Sequence, residues 1–338
     1  MFLYGLNSLR GSFPAASILY FSKGRQIFQT VEEVAQHHFG GLDRVRSFFD
    51  FASGFGRSTR FLSRALGPER ITVAEIDPRA VQFQQETFEV RGVVSGLEPD
   101  TLSVSEDFDL VVASSFFSHL PGRSFRGWLT RLYELVAPGG ALLFSTHGRN
   151  LMPAREADWS SGIVFVPQSE TLRLDASEYG TSYVTEEFVR AAAHGAAAEA
   201  DFAAFPFGFC AQQDLYVLSK PPLRRGPALK VSRFPRGELD RFEIGEGPRV
   251  LVAGWVSSGV GRPVPTVRLL IEEDPVLTVR PAEQPPSESR WEFSFDRSRI
   301  GPDDVIRVEA ESARGLSNIL AMGTLRPHLP PDALPSSE

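Results

Sequence analysis

Apolar, strand-like runs alternate with helix-like segments between residues 47 and about 220, and this alternation is what most constrains the fold. The run "FDLVVAS" is nearly continuous in its apolar character, as expected for a strand buried on both faces. Strands that alternate with helices assemble into parallel sheets that are covered on both faces. The pattern therefore predicts an α/β domain built on a mostly parallel sheet.

The composition changes after this alternating region. Residues 221–227, "PPLRRGP", predict a linker. Seven short strand-like segments follow, from "LKVSRF" to "LAMGTLR", without a helical period, and they predict an all-β sandwich over residues 228–328. Residues 329–338 predict a disordered tail. The first domain is thus assigned to residues 1–220, with its core at 45–220.

Composition excludes several classes of protein. The chain has 338 residues, 23% of them charged, and a net charge of −7, which argues against a broad polyanion-binding surface and makes a nucleic-acid partner unfavourable. One cysteine, Cys210, cannot form an internal disulfide, so a reducing compartment fits. Arg10 interrupts the apolar N-terminus, and no run reaches the roughly 20 apolar residues of a membrane helix. We expect a cytoplasmic protein without a membrane span.

The stretch "FFDFASGFGRSTRFL", residues 48–62, is the first candidate for a binding site. A buried strand carrying Asp50 runs into a turn that contains Gly54 and Gly56, and a helix follows. Ligands of open parallel sheets bind at the carboxyl ends of strands, and glycines let a ligand approach the main chain. Asp77 ends the second strand at a spacing typical of an acid that binds ribose hydroxyls.

The residues in this turn discriminate between nucleotides. A dinucleotide fingerprint has a third glycine where this chain has Thr59. Asp50 would repel a pyrophosphate and attract a cationic amino group. The pattern favours a ligand with a ribose and a positively charged amino acid. The alternatives are a plain tight turn, with Asp50 and Asp77 serving as helix caps.

Four segments in order carry a resemblance to a known family. "FFDFASGFGR", "ITVAEIDPRAV", "FDLVVASSFFSHLP" and "LVAPGGALLFST" together resemble a class I S-adenosylmethionine-dependent methyltransferase over about residues 45–220. Ala52 stands where the family usually has its first glycine. The resemblance implies a Rossmann-like, seven-stranded sheet whose last strand is antiparallel, and S-adenosylmethionine as the cofactor.

The resemblance also implies roles for particular residues of the cofactor site. Asp77 would bind the ribose, Ser95 would lie near the adenine, and Ser114 with Ser115 would border the transferable methyl. The residues that would hold the methionine portion are Asp50, Ala52, Ser53, Gly54 and Gly56.

Candidate residues for the methyl acceptor follow the fourth and fifth strands. His119 is the candidate general base, and His147 lies at the same edge as a substrate-binding candidate. The long insertion 151–184 adds Trp159, Tyr179 and Tyr183, whose rings suit a flat or sugar acceptor. The alternatives are histidines that only bond loop carbonyls and an insertion that only covers the sheet. No acid–histidine cluster has the spacing of a metal site.

Two weaker resemblances bear on the acceptor. "SEYGTSYVTEEFV" is similar to a bacterial methyltransferase subgroup often linked with glycosyltransferases, and the C-terminal segments resemble bacterial immunoglobulin-like or carbohydrate-associated modules. Trp255 and Trp291 of that region are expected in its core. We expect methyl transfer to an oxygen or nitrogen of a saccharide or other small metabolite, and we allow for a homodimer. The alternative is a catalytically inactive, methyltransferase-like scaffold.

Overall fold

The computed structural model describes residues 13–152, 157–168, 174–223, 227–245, 247–259, 262–282 and 288–325. The predicted tail, residues 329–338, and part of the predicted linker lie outside these ranges. The contacts divide the chain into two compact units. One comprises residues 24–232, and the other comprises residues 1–23 with 233–338.

The first unit alternates strands and helices, as its sequence predicts. Helix α1 (Phe13–Phe39) reaches into it from residue 24 onwards. The other helices are α2 (Thr59–Leu66), α3 (Pro78–Phe88), α4 (Gly122–Glu134) and α5 (Glu186–Ala196). The strands are β1 (Phe48–Phe51), β2 (Ile71–Glu75), β3 (Arg91–Val94), β4 (Phe108–Ala113), β5 (Val136–Gly148), β6 (Ile163–Val166), β7 (Thr181–Val184), β8 (Asp201–Phe209) and β9 (Gln213–Ser219).

The main sheet has the order β3-β2-β1-β4-β5-β9-β8. Strands β1 to β5 are parallel, and β9 is antiparallel to both β5 and β8. This mixed sheet agrees with the resemblance, which implied an antiparallel last strand. A hairpin of β6 and β7 adds to the far end of β5, where His147 pairs with Tyr183 and Gly148 with Val184.

Two apolar layers cover the sheet. On one face, Phe49 and Phe51 of β1 pack with α4 and α5 around the buried Trp128. On the other face, Phe48 packs with residues of α1 and α2, among them Leu62. Because successive strand residues point to opposite faces, the fully buried run of β1 serves both layers. Asp50 lies within this run, on the side of Phe48 and α2.

The ends of the two units differ from the predicted domain boundaries. Val231 is buried in the layer that contains α1, and the backbone N–H of Ser232 donates to Glu33, so the first unit continues past residue 227. At the other end, Ala15 packs with Val305 and Met322 in the second unit. The first unit thus ends after the predicted linker because Val231 packs in its core. The N-terminal part of α1 belongs to the second unit because Ala15 packs there.

The second unit is formed by β-strands after residue 233. They are β10 (Arg236–Ile244), β11 (Arg249–Ser257), β12 (Thr266–Ile271), β13 (Asp274–Val279), β14 (Ser289–Asp296), β15 (Ile306–Glu311) and β16 (Ser317–Gly323). They form two antiparallel sheets, β10-β11-β14 and β13-β12-β15-β16, and side chains of both sheets share one buried cluster. Trp291 is in this cluster as expected, whereas Trp255 is only half-buried.

One predicted strand of this unit is wrong. "LKVSRF", residues 229–234, forms no strand, and β10 begins two residues later at Arg236. Val231 and Phe234 are buried without strand pairing, so their alternating pattern reflects packing of an irregular segment. Across the described ranges, no helix is both long enough and apolar enough to cross a bilayer.

Gly24 of α1 lies against the turn that follows β1. A Cβ at this position would lie 2.2 Å from the carbonyl oxygen of Arg57 and 3.0 Å from the ring of Phe61. We predict that Gly24→Ala lowers the free energy of unfolding by about 1–3 kcal/mol, because a backbone atom must move to admit the methyl group. Chemical denaturation of the full-length protein measures this change.

Gly195 of α5 is the matched control, because nothing lies within 4 Å of a Cβ built there. Gly195→Ala gains helix propensity without a clash, so the free energy of unfolding is expected to rise by up to about 1 kcal/mol. Equal effects of the two substitutions would contradict the close approach of Gly24 to Arg57.

Candidate functional site

Asp50 is the centre of the candidate site at the carboxyl edge of the sheet. Its side chain is 1% exposed. One carboxylate oxygen, Oδ2, accepts hydrogen bonds from Ser58 Oγ at 3.0 Å and Thr59 Oγ1 at 2.9 Å, which lie at the start of α2. The other oxygen, Oδ1, is buried and has no hydrogen-bond partner among the described residues. The carboxylate therefore has one anchored oxygen and one that is ready to accept.

Burial raises the pKa of Asp50 from 3.8 to about 6. The hydrogen bonds from Thr59 and Ser58 and the charge of Arg57 act in the opposite direction and are outweighed. Above this pH the carboxylate is charged in a low-dielectric place. A cationic group bound at Oδ1 would offset that unfavourable charge.

The turn after β1 has an unusual backbone. Ala52, Gly54 and Gly56 have φ angles of 53°, 57° and 72°, all in the left-handed region. Ala52 adopts this region at a cost of about 1–2 kcal/mol, which the family's usual glycine would avoid. Gly54 faces open space, since a Cβ there would meet nothing within 4 Å. A Cβ on Gly56 would strike the Phe88 ring, so Gly56 serves packing and Gly54 leaves room for a ligand.

Glu75, at the end of β2, is a site residue that the sequence analysis missed. Its Oε2 accepts from the backbone N–H of Gly54 at 2.9 Å, and its Oε1 accepts from the N–H of Ile76 at 2.8 Å. Gln84 of α3 supports the same turn, donating to Ser53 Oγ at 2.8 Å and to the carbonyl of Gly54 at 2.9 Å. The apolar run "ITVA" ends at Glu75, and this end was the available signal.

Asp77 caps α3. Its Oδ1 accepts from the backbone N–H of Arg79 at 3.1 Å, and its carboxylate forms a two-point ion pair with the Arg79 guanidinium. Ser95 lies directly after β3, is buried, and donates its backbone N–H to the carbonyl of Glu75 at 3.0 Å. Both residues lie near the ends of β2 and β3, on the same edge of the sheet as Asp50.

The serines after β4 lie near the end of β5. Ser114 has a buried hydroxyl without a partner among the described residues. Ser115 has a left-handed φ of 58°, and its N–H donates to Ser145 Oγ at 2.8 Å. Both Ser115 Oγ and Ser145 Oγ donate to Gln213 Oε1, at 3.0 Å and 2.7 Å. Strands β4, β5 and β9 are thus joined by side chains at their ends.

His119 is held by the β6–β7 insertion. Its Nδ1 lies 2.8 Å from the carbonyl oxygen of Gly180, and the Gly180 N–H donates to the His119 carbonyl at 2.9 Å. A carbonyl only accepts, so Nδ1 carries the proton and Nε2 holds the lone pair of the neutral ring. The Tyr179 ring stacks on His119 with centroids 4.7 Å apart.

His147 completes a cluster of four rings. Its centroid lies 6.3 Å from that of His119 and 5.5 Å from that of Tyr183. Burial, and secondly the neighbouring His119, lower the pKa of His147 from 6.5 to about 4, so the ring is neutral at physiological pH. The fold brings together His119, His147, Tyr179 and Tyr183 from three separate segments of the chain.

Trp159 has a different neighbour. The Arg149 guanidinium lies over its ring, 5.1 Å from the centroid. Arg149 also lines a cavity of about 290 Å³ that is bordered by the ends of β5 and β7, the start of α5 and the β8–β9 hairpin. Within the described ranges, no group of three or more His, Cys, Asp or Glu residues is arranged to hold a metal ion.

A family comparison covers the segment that builds this edge. Residues 49–142 match a family model described as a methyltransferase domain. The match begins within β1 and ends within β5, so it includes the turn after Asp50, the end of β2 and the loop that contains His119. No curated protein matches the sequence.

Solved structures similar to this chain include three methyltransferases. An O-methyltransferase family protein from Burkholderia thailandensis is 17% identical, with a TM-score of 0.40; the alignment covers 53% of this chain and 52% of that protein, about half of its length. An S-adenosylmethionine-dependent methyltransferase from Clostridium acetobutylicum is 12% identical, with a TM-score of 0.42; the alignment covers 58% of this chain and 91% of that protein. Magnesium protoporphyrin IX methyltransferase from Synechocystis, solved with bound SAH, is 13% identical, with a TM-score of 0.38; the alignment covers 58% of this chain and 84% of that protein.

The burial of Asp50 gives the stability of the protein a testable pH dependence. The pKa of Asp50 is higher in the folded state than in the unfolded state. The free energy of unfolding is therefore highest below about pH 4, where Asp50 is protonated, and it falls as the pH rises through about 6. The loss amounts to about 3 kcal/mol. We predict that Asp50→Asn is more stable than the wild type at pH 8 and that this advantage fades towards pH 4. Urea denaturation at several pH values measures it.

Asp109 of β4 is the control, because it is equally buried but paired. Its carboxylate accepts from the Arg46 guanidinium at 3.0 Å and from the Arg46 backbone N–H at 2.7 Å. Asp109→Asn weakens a hydrogen-bonded ion pair and is expected to destabilise the protein at pH 8. If Asp50→Asn destabilises it equally at that pH, the unfavourable burial of Asp50 is refuted.

Proposed function

We propose that the protein is an S-adenosylmethionine-dependent methyltransferase that acts on an oxygen or nitrogen of a saccharide or another small metabolite. The observation that carries this proposal is the buried Asp50 Oδ1, which has no hydrogen-bond partner among the described residues and lies beside a turn that opens at Gly54. This arrangement lies at the carboxyl edge of the sheet in a segment that matches a methyltransferase domain.

The residues at this edge fit the cofactor. The ammonium group of its methionine part would complete the Asp50 carboxylate, and the open face of Gly54 would admit the chain next to the backbone. Ala52, Ser53 and Gly56 would shape the turn. When bound, S-adenosylmethionine supplies an electrophilic methyl group on a sulfonium. Ser114, whose buried hydroxyl has no partner among the described residues, would border that methyl.

Two carboxylates are available for the ribose hydroxyls. Asp77 is the one that the resemblance implies, and its oxygens are bonded to Arg79 and to the start of α3. Glu75 contacts the Gly54 N–H directly and therefore lies closer to the turn. We favour Glu75 as the ribose acceptor, with Asp77 holding α3 in place. Ser95, which bonds the Glu75 carbonyl, would lie beside the adenine.

The acceptor would bind among the four rings. With Nδ1 bonded to Gly180, His119 presents its lone pair at Nε2, where it would take the proton from an acceptor hydroxyl or amine. Tyr179 fixes the plane of that ring by stacking. His147 and Tyr183 would contact the acceptor from the β5–β7 side, and Trp159 would contact a more distant part of it. A saccharide suits such aromatic surroundings. The resemblance to the bacterial subgroup linked with glycosyltransferases also supports a saccharide acceptor.

Cofactor binding tests the first part of this proposal. We predict that the protein binds S-adenosylhomocysteine with a Kd between low micromolar and submillimolar, about −5 to −8 kcal/mol. Glu75→Gln should weaken binding about tenfold or more, because a charged hydrogen-bond acceptor for two hydroxyls is lost. Isothermal titration calorimetry measures both.

Asp77→Asn distinguishes the two carboxylates, since asparagine is also a good helix cap and keeps α3 in place. If Glu75 binds the ribose, Asp77→Asn keeps an affinity close to that of the wild type. Loss of affinity in Asp77→Asn alone would return the ribose to Asp77. An absence of heat at millimolar ligand, together with no thermal shift, would overturn the cofactor proposal.

Methyl transfer tests the second part. We predict that a native extract incubated with the protein and methyl-deuterated cofactor yields a deuterated small molecule or glycan, detected by mass spectrometry. His119→Asn should lower this transfer about 100-fold while cofactor affinity stays unchanged, because general-base catalysis contributes 10²–10⁴-fold.

Cofactor binding without any transfer by the wild type would favour the scaffold alternative. Transfer that is equal in His119→Asn and wild type would show that the acceptor needs no base at this position. A cytoplasmic location, homodimerisation, an immunoglobulin-like sandwich in the second unit and the absence of a nucleic-acid partner stay predictions.

A further inference from the structure

Gln213, the first residue of β9, has a side chain that reaches three polar groups of the site. Its Oε1 accepts from Ser145 Oγ at 2.7 Å and from Ser115 Oγ at 3.0 Å, and its Nε2 lies 3.2 Å from His147 Nε2. Gln213 therefore links the loop after β4 to the end of β5, including His147, whose backbone pairs with β7. No motif in the sequence marks Gln213 as a site residue.

The serine hydroxyls contact the carbonyl end of the Gln213 amide. Ser145 Oγ accepts the backbone N–H of Ser115 at 2.8 Å and donates its own proton to Gln213 Oε1 at 2.7 Å. The carbonyl end of the amide is thus directed at two hydroxyl donors. Its NH₂ end faces His147 and can only donate. In this arrangement His147 Nε2 accepts the bond, and the proton of the neutral ring is on Nδ1, which is buried and has no hydrogen-bond partner among the described residues.

This bond opposes protonation of His147. An imidazolium would place an N–H on Nε2 opposite the NH₂ of Gln213, so two donors would face each other at 3.2 Å. The titratable groups around the ring are His119 at 6.3 Å between centroids and Tyr183 at 5.5 Å. Burial and the charge of His119 lower the pKa of His147 and outweigh a backbone interaction with Ser182, which raises it. The lowered pKa of His147, caused first by burial, agrees with this arrangement.

The strained hairpin between β8 and β9 places Gln213 in this position. Phe207, Cys210 and Ala211, none of them glycine, all have left-handed φ angles, of 54°, 54° and 61°. Asp214 Oδ1 accepts the backbone N–H of Phe207 at 2.8 Å across the hairpin. Left-handed conformations of such residues are unfavourable and persist where the surrounding structure demands them. Here the hairpin starts β9 with Gln213 opposite the end of β5.

We propose that Gln213 is a positioning residue that occupies the Nε2 lone pair of His147, keeps that ring neutral and so restricts proton transfer from the acceptor to His119. This role rests on the proposed function, because it concerns the proton that methyl transfer releases. His147 then contributes its ring as a neutral wall of the acceptor site. The same amide also accepts the hydroxyl protons of Ser115 and Ser145.

The test compares two glutamines that are adjacent in the chain. Gln213→Glu places a carboxylate opposite His147 Nε2, and the pKa of His147 should rise by about 1–3 units. Gln212→Glu adds the same charge at an exposed position and should shift it by less than about 0.3 unit, because solvent screens the charge. Gln213→Met removes the donor with little change of volume and should raise the pKa by a smaller amount than Gln213→Glu.

The measurement is ¹⁵N NMR titration of the histidine rings in the full-length protein, with His147→Asn to assign the signal. In the wild type, the ¹⁵N shifts should report the Nδ1–H form of His147. The proposal is overturned by an Nε2–H form in the wild type, by equal pKa shifts in Gln213→Glu and Gln212→Glu, or by an unchanged pKa in both Gln213 variants. If only one of the two Gln213 variants folds, an unchanged His147 pKa in that variant overturns the proposal.

Calorimetry with S-adenosylhomocysteine on the same samples separates this proposal from the proposed function. A wild type that does not bind would remove the methyltransferase proposal while leaving the His147 titration interpretable. Normal binding by Gln213→Glu with a raised His147 pKa would support the positioning role and exclude general misfolding.

Discussion

The unequal use of the two Asp50 oxygens is the interaction on which the rest of the site depends. Oδ2 receives both hydroxyls from the first residues of α2, which ties the end of β1 to the start of the helix. The turn between them is thereby drawn tight, and residues in the left-handed region are needed to close it. The unfavourable charge of Asp50 is tolerated because phenylalanines on both faces of the sheet bury a large apolar area around it.

The spacing of apolar residues along the sequence made much of this architecture predictable. Strands β1, β2, β4, β5 and β9 are apolar runs with clear ends, so the sheet and the place of Asp50 and the glycine turn could be inferred before any coordinates. The gathering of His119 and His147 followed from the same reasoning, because both come directly after neighbouring parallel strands. Thr185 caps α5, since its hydroxyl accepts the Phe188 N–H, and acids in the first turn follow it in the sequence.

Side-chain destinations were harder to infer than strand positions. Glu75 and Asp77 are two residues apart, and only the backbone path shows that one contacts the turn while the other caps α3. Gln213 gave no signal because its partners come from strands distant in sequence. Strand β8 was overlooked because Pro206 interrupts its apolar run, and the four-residue strands β6 and β7 were read as a plain insertion.

The hairpin of β6 and β7 holds His119 through main-chain atoms. The Gly180 N–H and carbonyl make both contacts, and Gly180 itself is confined to glycine because a Cβ would lie 2.3 Å from the Val166 carbonyl oxygen. Neighbouring side chains of the hairpin take no part in these two bonds. Side chains of this insertion other than Tyr179, whose ring stacks on His119, are therefore free to vary while the His119 ring keeps its orientation. Under the proposed function, a change of acceptor would therefore not require a change in how His119 is held.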